Sequence, residues 1–167
     1  MRWMQALAWG CMAVAFVACA GGSLGPVESV RAFGPTDTPI SASGVAAEEG
    51  GWRVEQPGAG SVRLFEVPGQ RLESTVLTYR AHMRASDVAG KAYLEMWVRV
   101  PGKGEFFSRG LAQPLQGTSG WASYEIPFFL NEPGVTVDLV KLNVAFEGGG
   151  GTVWIKDVEL LKAALAS

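Results

Sequence analysis

The densest grouping of chemically capable side chains in this sequence runs through residues 80–99. Arg80 and His82 alternate with apolar residues, and Tyr93, Glu95, Trp97 and Arg99 do so again a few positions later. Aromatic rings beside carboxylate and guanidinium groups can hold a pyranose, whose C–H faces stack on a ring while its hydroxyls pair with the charged groups. The same residues also suit a covered face, with Glu95 paired to Arg80 or Arg84 across strands and the rings packed under another segment. His82 is the only histidine. It titrates near neutrality and could act as a base, but no nucleophile stands beside it, and a solvent-facing strand position between Arg80 and Arg84 explains it. The carboxylates Glu73, Asp87, Glu95, Glu105, Glu125, Asp138 and Asp157 are scattered. A glycosidase needs two of them a few ångströms apart, and no local context singles out a pair. Gly21-Gly22-Ser23-Leu24-Gly25 matches the Gly-x-Ser-x-Gly of hydrolases, but that motif requires a strand before the serine and a helix after it. Here it falls in a flexible, Gly-rich stretch.

Composition narrows the classes further. The chain has 167 residues with 14 Lys/Arg against 16 Asp/Glu, and it lacks a basic block, so binding to nucleic acid through phosphate neutralisation is not expected. Both cysteines, Cys11 and Cys19, lie near the N-terminus. The remainder can form neither a disulfide nor a thiolate metal site, and one histidine does not make a zinc site. We expect no cofactor and no metal, and a core that holds the fold alone.

The elements that must position these residues read as strands. Gly is frequent at 22 residues and Pro at 9, and they form turn dipeptides at Pro57-Gly58, Pro68-Gly69, Pro101-Gly102 and Pro133-Gly134. Between them lie runs rich in Val, Thr, Tyr, Trp and Phe, which suit a pleated, half-buried surface. Period-two alternation is clearest at Leu77, Tyr79, Ala81, Met83, at Ala92, Leu94, Met96, Val98, Val100, and at Val140, Leu142, Val144, Phe146. Strands are expected at 52–56, 62–67, from 73 to 84, 91–100, 105–115, 121–129, 138–146 and 152–161, with a loop at 34–39. The short connection at Gly90 predicts that 73–84 and 91–100 pair as a hairpin. That pairing would put Arg80 and His82 on one surface with Tyr93, Glu95 and Trp97. Trp52, Trp121 and Trp154 read as core or edge packing, and 160–165 as a short helical turn. There is no internal repeat. The pattern is all-β.

The end of the chain carries a resemblance. Gly117-Thr118-Ser119-Gly120-Trp121 with Tyr124-Glu125-Ile126-Pro127, then Gly150-Gly151-Thr152-Val153-Trp154-Ile155-Lys156-Asp157-Val158-Glu159-Leu160, resembles the galactose-binding-like jelly-roll superfamily, which includes many carbohydrate-binding modules. The resemblance implies a jelly-roll β-sandwich over about residues 50–162 and a sugar-binding role. Lys156 departs from the pattern, which often has an acidic residue there, so the structural calcium of some relatives is not carried over. Asp157 is read as an acceptor for loop N–H groups.

The N-terminus holds an apolar run at 6–20 behind Arg2, the arrangement of a secretory signal. Ala18-Cys19 followed by Ala20-Gly21-Gly22-Ser23 resembles the lipobox and tether of bacterial lipoproteins, with Phe16 and Val17 departing from it. The resemblance implies acylation at Cys19 and a membrane anchor in the cell envelope, at the outer membrane where there is one. A plain signal, leaving a secreted or periplasmic protein, is the alternative. The expected organisation is a signal at 1–18, a lipidated cysteine and tether at 19–29 and a β-sandwich at 30–167. The expected function is non-catalytic binding of a glycan or glycan-bearing partner, through Arg80, His82, Tyr93, Glu95 and Trp97. The alternative is a structural or assembly lipoprotein that binds another envelope protein.

Overall fold

A computed structural model describes residues 24–72 and 74–165. The signal, Cys19 and Ser23 of the Gly-x-Ser-x-Gly stretch lie outside the described residues. Among those described there are nine strands: β1 (Glu28–Phe33), β2 (Val45–Glu48), β3 (Gly51–Gln56), β4 (Gly60–Arg71), β5 (Thr75–Val100), β6 (Gly104–Arg109), β7 (Leu115–Leu130), β8 (Thr136–Glu147) and β9 (Gly151–Ala164). The chain is an all-β jelly-roll sandwich. The first layer is built on β9, flanked by β1 and β3 on one side and the first half of β5 on the other, with β7 beyond β5 and β2 beyond β3. The second layer runs β4, β8, the second half of β5, β6.

β5 corrects the hairpin expectation. Residues 75–86 pair with β7 and β9, whereas 91–99 pair with β8. The two halves belong to opposite layers and do not pair with each other. The corner between them has identifiable causes. Asp87 sits in the left-handed region at φ 54, and the ladder with β7 shifts register at 83/85, 85/88 and 88/92. Such irregularities bend a strand. Gly90 is required because a Cβ there would lie 2.0 Å from the Glu147 carbonyl oxygen. The chain therefore crosses into the second layer and runs back there, instead of pairing with its own first half.

Alternation then fills the core from both sides. Leu94, Met96 and Val98 face Val144, Leu142 and Val140 across the second-layer ladder, and all six are buried. Leu77, Tyr79, Ala81 and Met83 close the core from the first layer with Val153, Ile155, Val158 and Leu160. Phe33 of β1 stacks on Phe65 of β4 with centroids 4.0 Å apart, and Trp52 meets the same ring edge-on at 4.9 Å. These rings tie the layers together. Pro68 and Pro127 lie in β4 and β7, each at a layer edge where a missing N–H costs no ladder bond.

Other boundaries differ from the sequence reading. β6 stops at Arg109, because the segment with Gly110 and Pro114 turns, Gln113 N–H donating to the Gly110 carbonyl, and β7 already starts at Leu115. Residues 160–164 are not a helical turn. They continue β9, with Leu160 to Ala164 paired to β5 and Lys162, Leu161 and Leu160 paired to β1 as well. Partners on both sides satisfy the backbone better than one isolated turn. Strand pairing also reaches into the expected tether: Glu28 and Ser29 face Lys162 and Leu161, and Leu24 bridges Leu165.

Candidate functional site

The outward side chains of the second layer line up in rows across four strands. One row is Arg63, Asn143, Glu95, Arg109, and the next is Glu66, Lys141, Trp97, Phe107. A third brings Arg99 beside Glu105. Period-two alternation places each of these side chains on the face away from the core. Together Ser61, Arg63, Glu95, Trp97, Glu105, Arg109, Lys141 and Asn143 line a cleft of about 260 Å³.

Glu95 is its floor. Only 1% of the residue is exposed, and its carboxylate accepts from Ser61 Oγ at 2.7 Å, Asn143 Nδ2 at 2.9 Å and Arg109 Nε at 2.7 Å. Burial alone would push the Glu95 carboxyl up, but hydrogen bonds from Asn143, Ser61, Trp97 and Arg109 outweigh it and hold the group below its ordinary range. An ionised carboxylate whose lone pairs are filled by four donors is not poised to give up a proton, so Glu95 is a structural anchor of the cleft and not a general acid. Around it, Arg63 pairs with Glu66 at 2.8 Å, Lys141 with Glu105 at 2.5 Å and Arg99 with Asp138 at 2.8 Å. Each charged side chain that lines the cleft has an opposite partner.

Two polar atoms at the cleft are left over. Asn143 Oδ1 and Arg63 Nε are buried without a hydrogen-bond partner, one an acceptor and one a donor. Buried polar groups are ordinarily paired. Beside them Trp97 and Phe107 form an aromatic shelf, with ring centroids 4.9 Å apart and planes at 42°. Trp97 is half-buried, and Phe107 is 53% exposed.

The sequence-predicted residues thus separate into two groups. Glu95 and Trp97 stand in the cleft. Tyr93 stands in the same strand, but its ring is buried and its hydroxyl donates to Glu147 at 2.7 Å, so it supports the face from below and offers no stacking surface. Burial and the Glu147 carboxylate push its phenol up. Arg80 and His82 lie on the outer face of the first layer, across the sandwich, because the corner at Asp87 separates the two halves of β5. There Arg80 pairs with Glu159 at 2.9 Å and His82 Nδ1 lies 2.9 Å from Asp157. Glu95 accordingly pairs with Arg109 and not with Arg80 or Arg84. Arg84 binds Glu49 through two nitrogens and lies over the Trp154 ring at 3.6 Å. Trp52 is core, as expected, whereas Trp121 is partly exposed, its ring beneath the Lys156 ammonium at 4.2 Å. Asp157 occupies the left-handed region at φ 51 where β9 slips register against β5. It is the extra residue of a bulge, a conformation that Asp tolerates, and its carboxylate serves His82. Among the described residues no three His, Cys, Asp or Glu side chains converge as a metal site.

Ser61, Arg63, Phe107, Arg109, Lys141 and Asn143 escaped the sequence reading as site residues. The alternation already put Lys141 and Asn143 on a polar face of their strand, but only the pairing of β8 with β5 sets them beside Glu95.

No protein-family model matches this sequence, and no curated protein matches it. Among solved structures, the VP2 protein of infectious bursal disease virus is 10% identical with a TM-score of 0.52, covering 96% of this chain. This chain spans only 36% of that protein's length. A family 16 carbohydrate-binding module is 12% identical over 76% of this chain and 92% of its own, with a TM-score of 0.47. The CBM22-1 xylan-binding domain from Paenibacillus barcinonensis is 12% identical over 90% of this chain and 100% of its own, with a TM-score of 0.48. At 10% identity the similarity to VP2 is one of fold alone.

Proposed function

We propose that this chain is a non-catalytic glycan-binding module, held at the bacterial cell envelope by acyl chains on Cys19, with the second-layer cleft as its ligand site. The observation that carries the reading is the partly exposed Trp97–Phe107 shelf beside a cleft lined by hydrogen-bonding side chains. A sugar ring laid on the shelf covers apolar surface with its C–H face. Its hydroxyls can pair with the polar side chains that line the cleft, Arg63, Glu105 and Lys141 among them. Because the charges that line the cleft are already paired, the ligand class it suits is an uncharged polyhydroxylated chain and not a polyanion. The anchor rests on the apolar run at 6–20 and on Ala18-Cys19.

A glycan array probed with the detergent-extracted protein tests the site. Wild type should bind a neutral glycan, and Phe107→Ala should weaken that binding with little change in the melting midpoint, since the ring is largely exposed. Binding that survives in both Phe107→Ala and Trp97→Ala would refute the cleft. Metabolic labelling with palmitate tests the anchor separately: it should mark wild type and not Cys19→Ser.

A further inference from the structure

The pole of the sandwich that holds Leu24 brings several exposed apolar side chains together. β5 begins and ends there, at Thr75 and Val100, and Leu130 and Ala164 face Thr75. Leu24 sits at the same pole, bridging Leu165, while Gly25 N–H donates to the Ala164 carbonyl at 2.8 Å. Leu24 is 55% exposed, Phe129 56% and Phe106 44%. Phe129 separates two hollows. One, of about 430 Å³, it shares with Leu24, Val76 and Ile126. The other, of about 160 Å³, it shares with Phe106, Phe128 and Leu130. The three exposed side chains therefore form one continuous strip. The charges at its margin cancel: Lys103 pairs with Glu132, and Lys162 with Glu28 at 3.4 Å.

What this strip meets follows from chain length. Leu24 is five residues after Cys19, a span of at most about 17 Å when fully extended. Each half of β5 is roughly 35–40 Å long at about 3.3 Å per residue, so an anchor at Cys19 keeps this pole close to the bilayer and the Asp87 corner far from it. We propose that Leu24, Phe106 and Phe129 form a membrane-seating surface that enters the boundary between headgroups and acyl chains. The inference rests on the anchor reading above and adds a second contact to it. Leucine and phenylalanine suit that boundary. The cancelled charges mean that the surface needs no anionic lipid, and a zwitterionic bilayer suffices. The domain then stands with its long axis near the membrane normal, and the second-layer cleft opens sideways.

The test uses the full chain carrying Cys11→Ser, reconstituted in phosphatidylcholine vesicles with brominated acyl chains. Bimane is attached at Phe129→Cys or Phe106→Cys and, as the far-pole control, at Lys91→Cys. Bromine should quench both strip positions about twofold or more and leave position 91 unchanged. Mass spectrometry of the same samples reads acylation of Cys19. An acylated protein in which strip and control are equally unquenched overturns the seating surface while keeping the anchor. An unmodified Cys19 overturns the anchor. In that case, vesicle binding that is lost in Leu24→Ser/Phe129→Ser still supports the surface, and the absence of vesicle binding removes it. A dimer in detergent that Phe129→Ser dissociates also overturns the proposal, because the strip would then serve a second copy.

Discussion

The two halves of β5 both turn polar and charged side chains away from the core and make opposite use of them. On the first layer Arg80, His82 and Arg84 end in ion pairs with Glu159, Asp157 and Glu49, all substantially exposed. On the second, Glu95 is sealed beneath Ser61, Asn143 and Arg109, with two adjoining rings in the next row. Exposed pairs contribute little, because water competes for each charge. A buried carboxylate commits every donor around it, because leaving one unpaired is costly. The alternation of the strand does not decide between these outcomes. The neighbours do: β8 brings an amide and β6 a guanidinium to Glu95, whereas β9 brings Arg80 and His82 carboxylates that solvent also reaches.

The comparison can be broken at several strengths. Leu142 lies beneath both faces in the common core, so Leu142→Ala should cost about 2–5 kcal/mol of unfolding free energy in urea titrations. Loss of one layer's signal before the other would contradict a single core. Glu95→Ala should cost about 2–3 kcal/mol, since it strands the Asn143 amide and the Ser61 hydroxyl, and it should empty the cleft of ligand. The same residue predicts an acid limb. Its folded-state pKa is depressed below the unfolded 4.5, so its contribution is present above 4.5 and fades as pH falls through the folded value. Stability curves of wild type and Glu95→Gln measured from pH 6 downward should therefore converge, and parallel curves would show that Glu95 is not the linked group. Trp97→Ala should lower affinity for the bound glycan by about 1 kcal/mol or more, read by calorimetry. The smallest effect belongs to the first layer. Arg80→Ala and His82→Ala should each change stability by no more than about 0.5 kcal/mol and leave affinity untouched. An affinity loss at His82 would move the ligand to the other side of the sandwich.

Much of this architecture was legible residue by residue. The runs Leu94-Met96-Val98 and Val140-Leu142-Val144 announce their burial through period two alone, and three of the four turn dipeptides mark the ends of strands, whereas Pro68-Gly69 lies within β4. The corner at Asp87 was not legible. A left-handed aspartate followed by Gly90 reads locally as a hairpin, and only the approach of Gly90 to the Glu147 carbonyl, a contact 57 positions away in sequence, shows that the strand changes layers. That one misreading displaced Arg80 and His82 from the far face to the site. Tyr93 was misplaced for a different reason: alternation tells which way a ring points, but not that Glu147 and the segment after β6 cover it. Arg109 and Asn143, the partners that define the cleft, are ordinary strand residues until β6 and β8 are laid beside β5.

β1 has a mechanical consequence. It leaves the pole near Leu24 and runs antiparallel along β9 from Glu28 opposite Lys162 to Phe33 opposite Val158, with Phe33 stacked into the far layer through Phe65. Ladder hydrogen bonds stand perpendicular to the strands. Tension arriving through the residues before Leu24 is therefore directed along β1 and across its bonds, so the whole ladder bears the load together and the stacked phenylalanine must withdraw before the strand can slide. A force pulling on a bound ligand against an N-terminal attachment would meet this domain in shear, the geometry in which a short strand holds best, and would not peel it open one pair at a time.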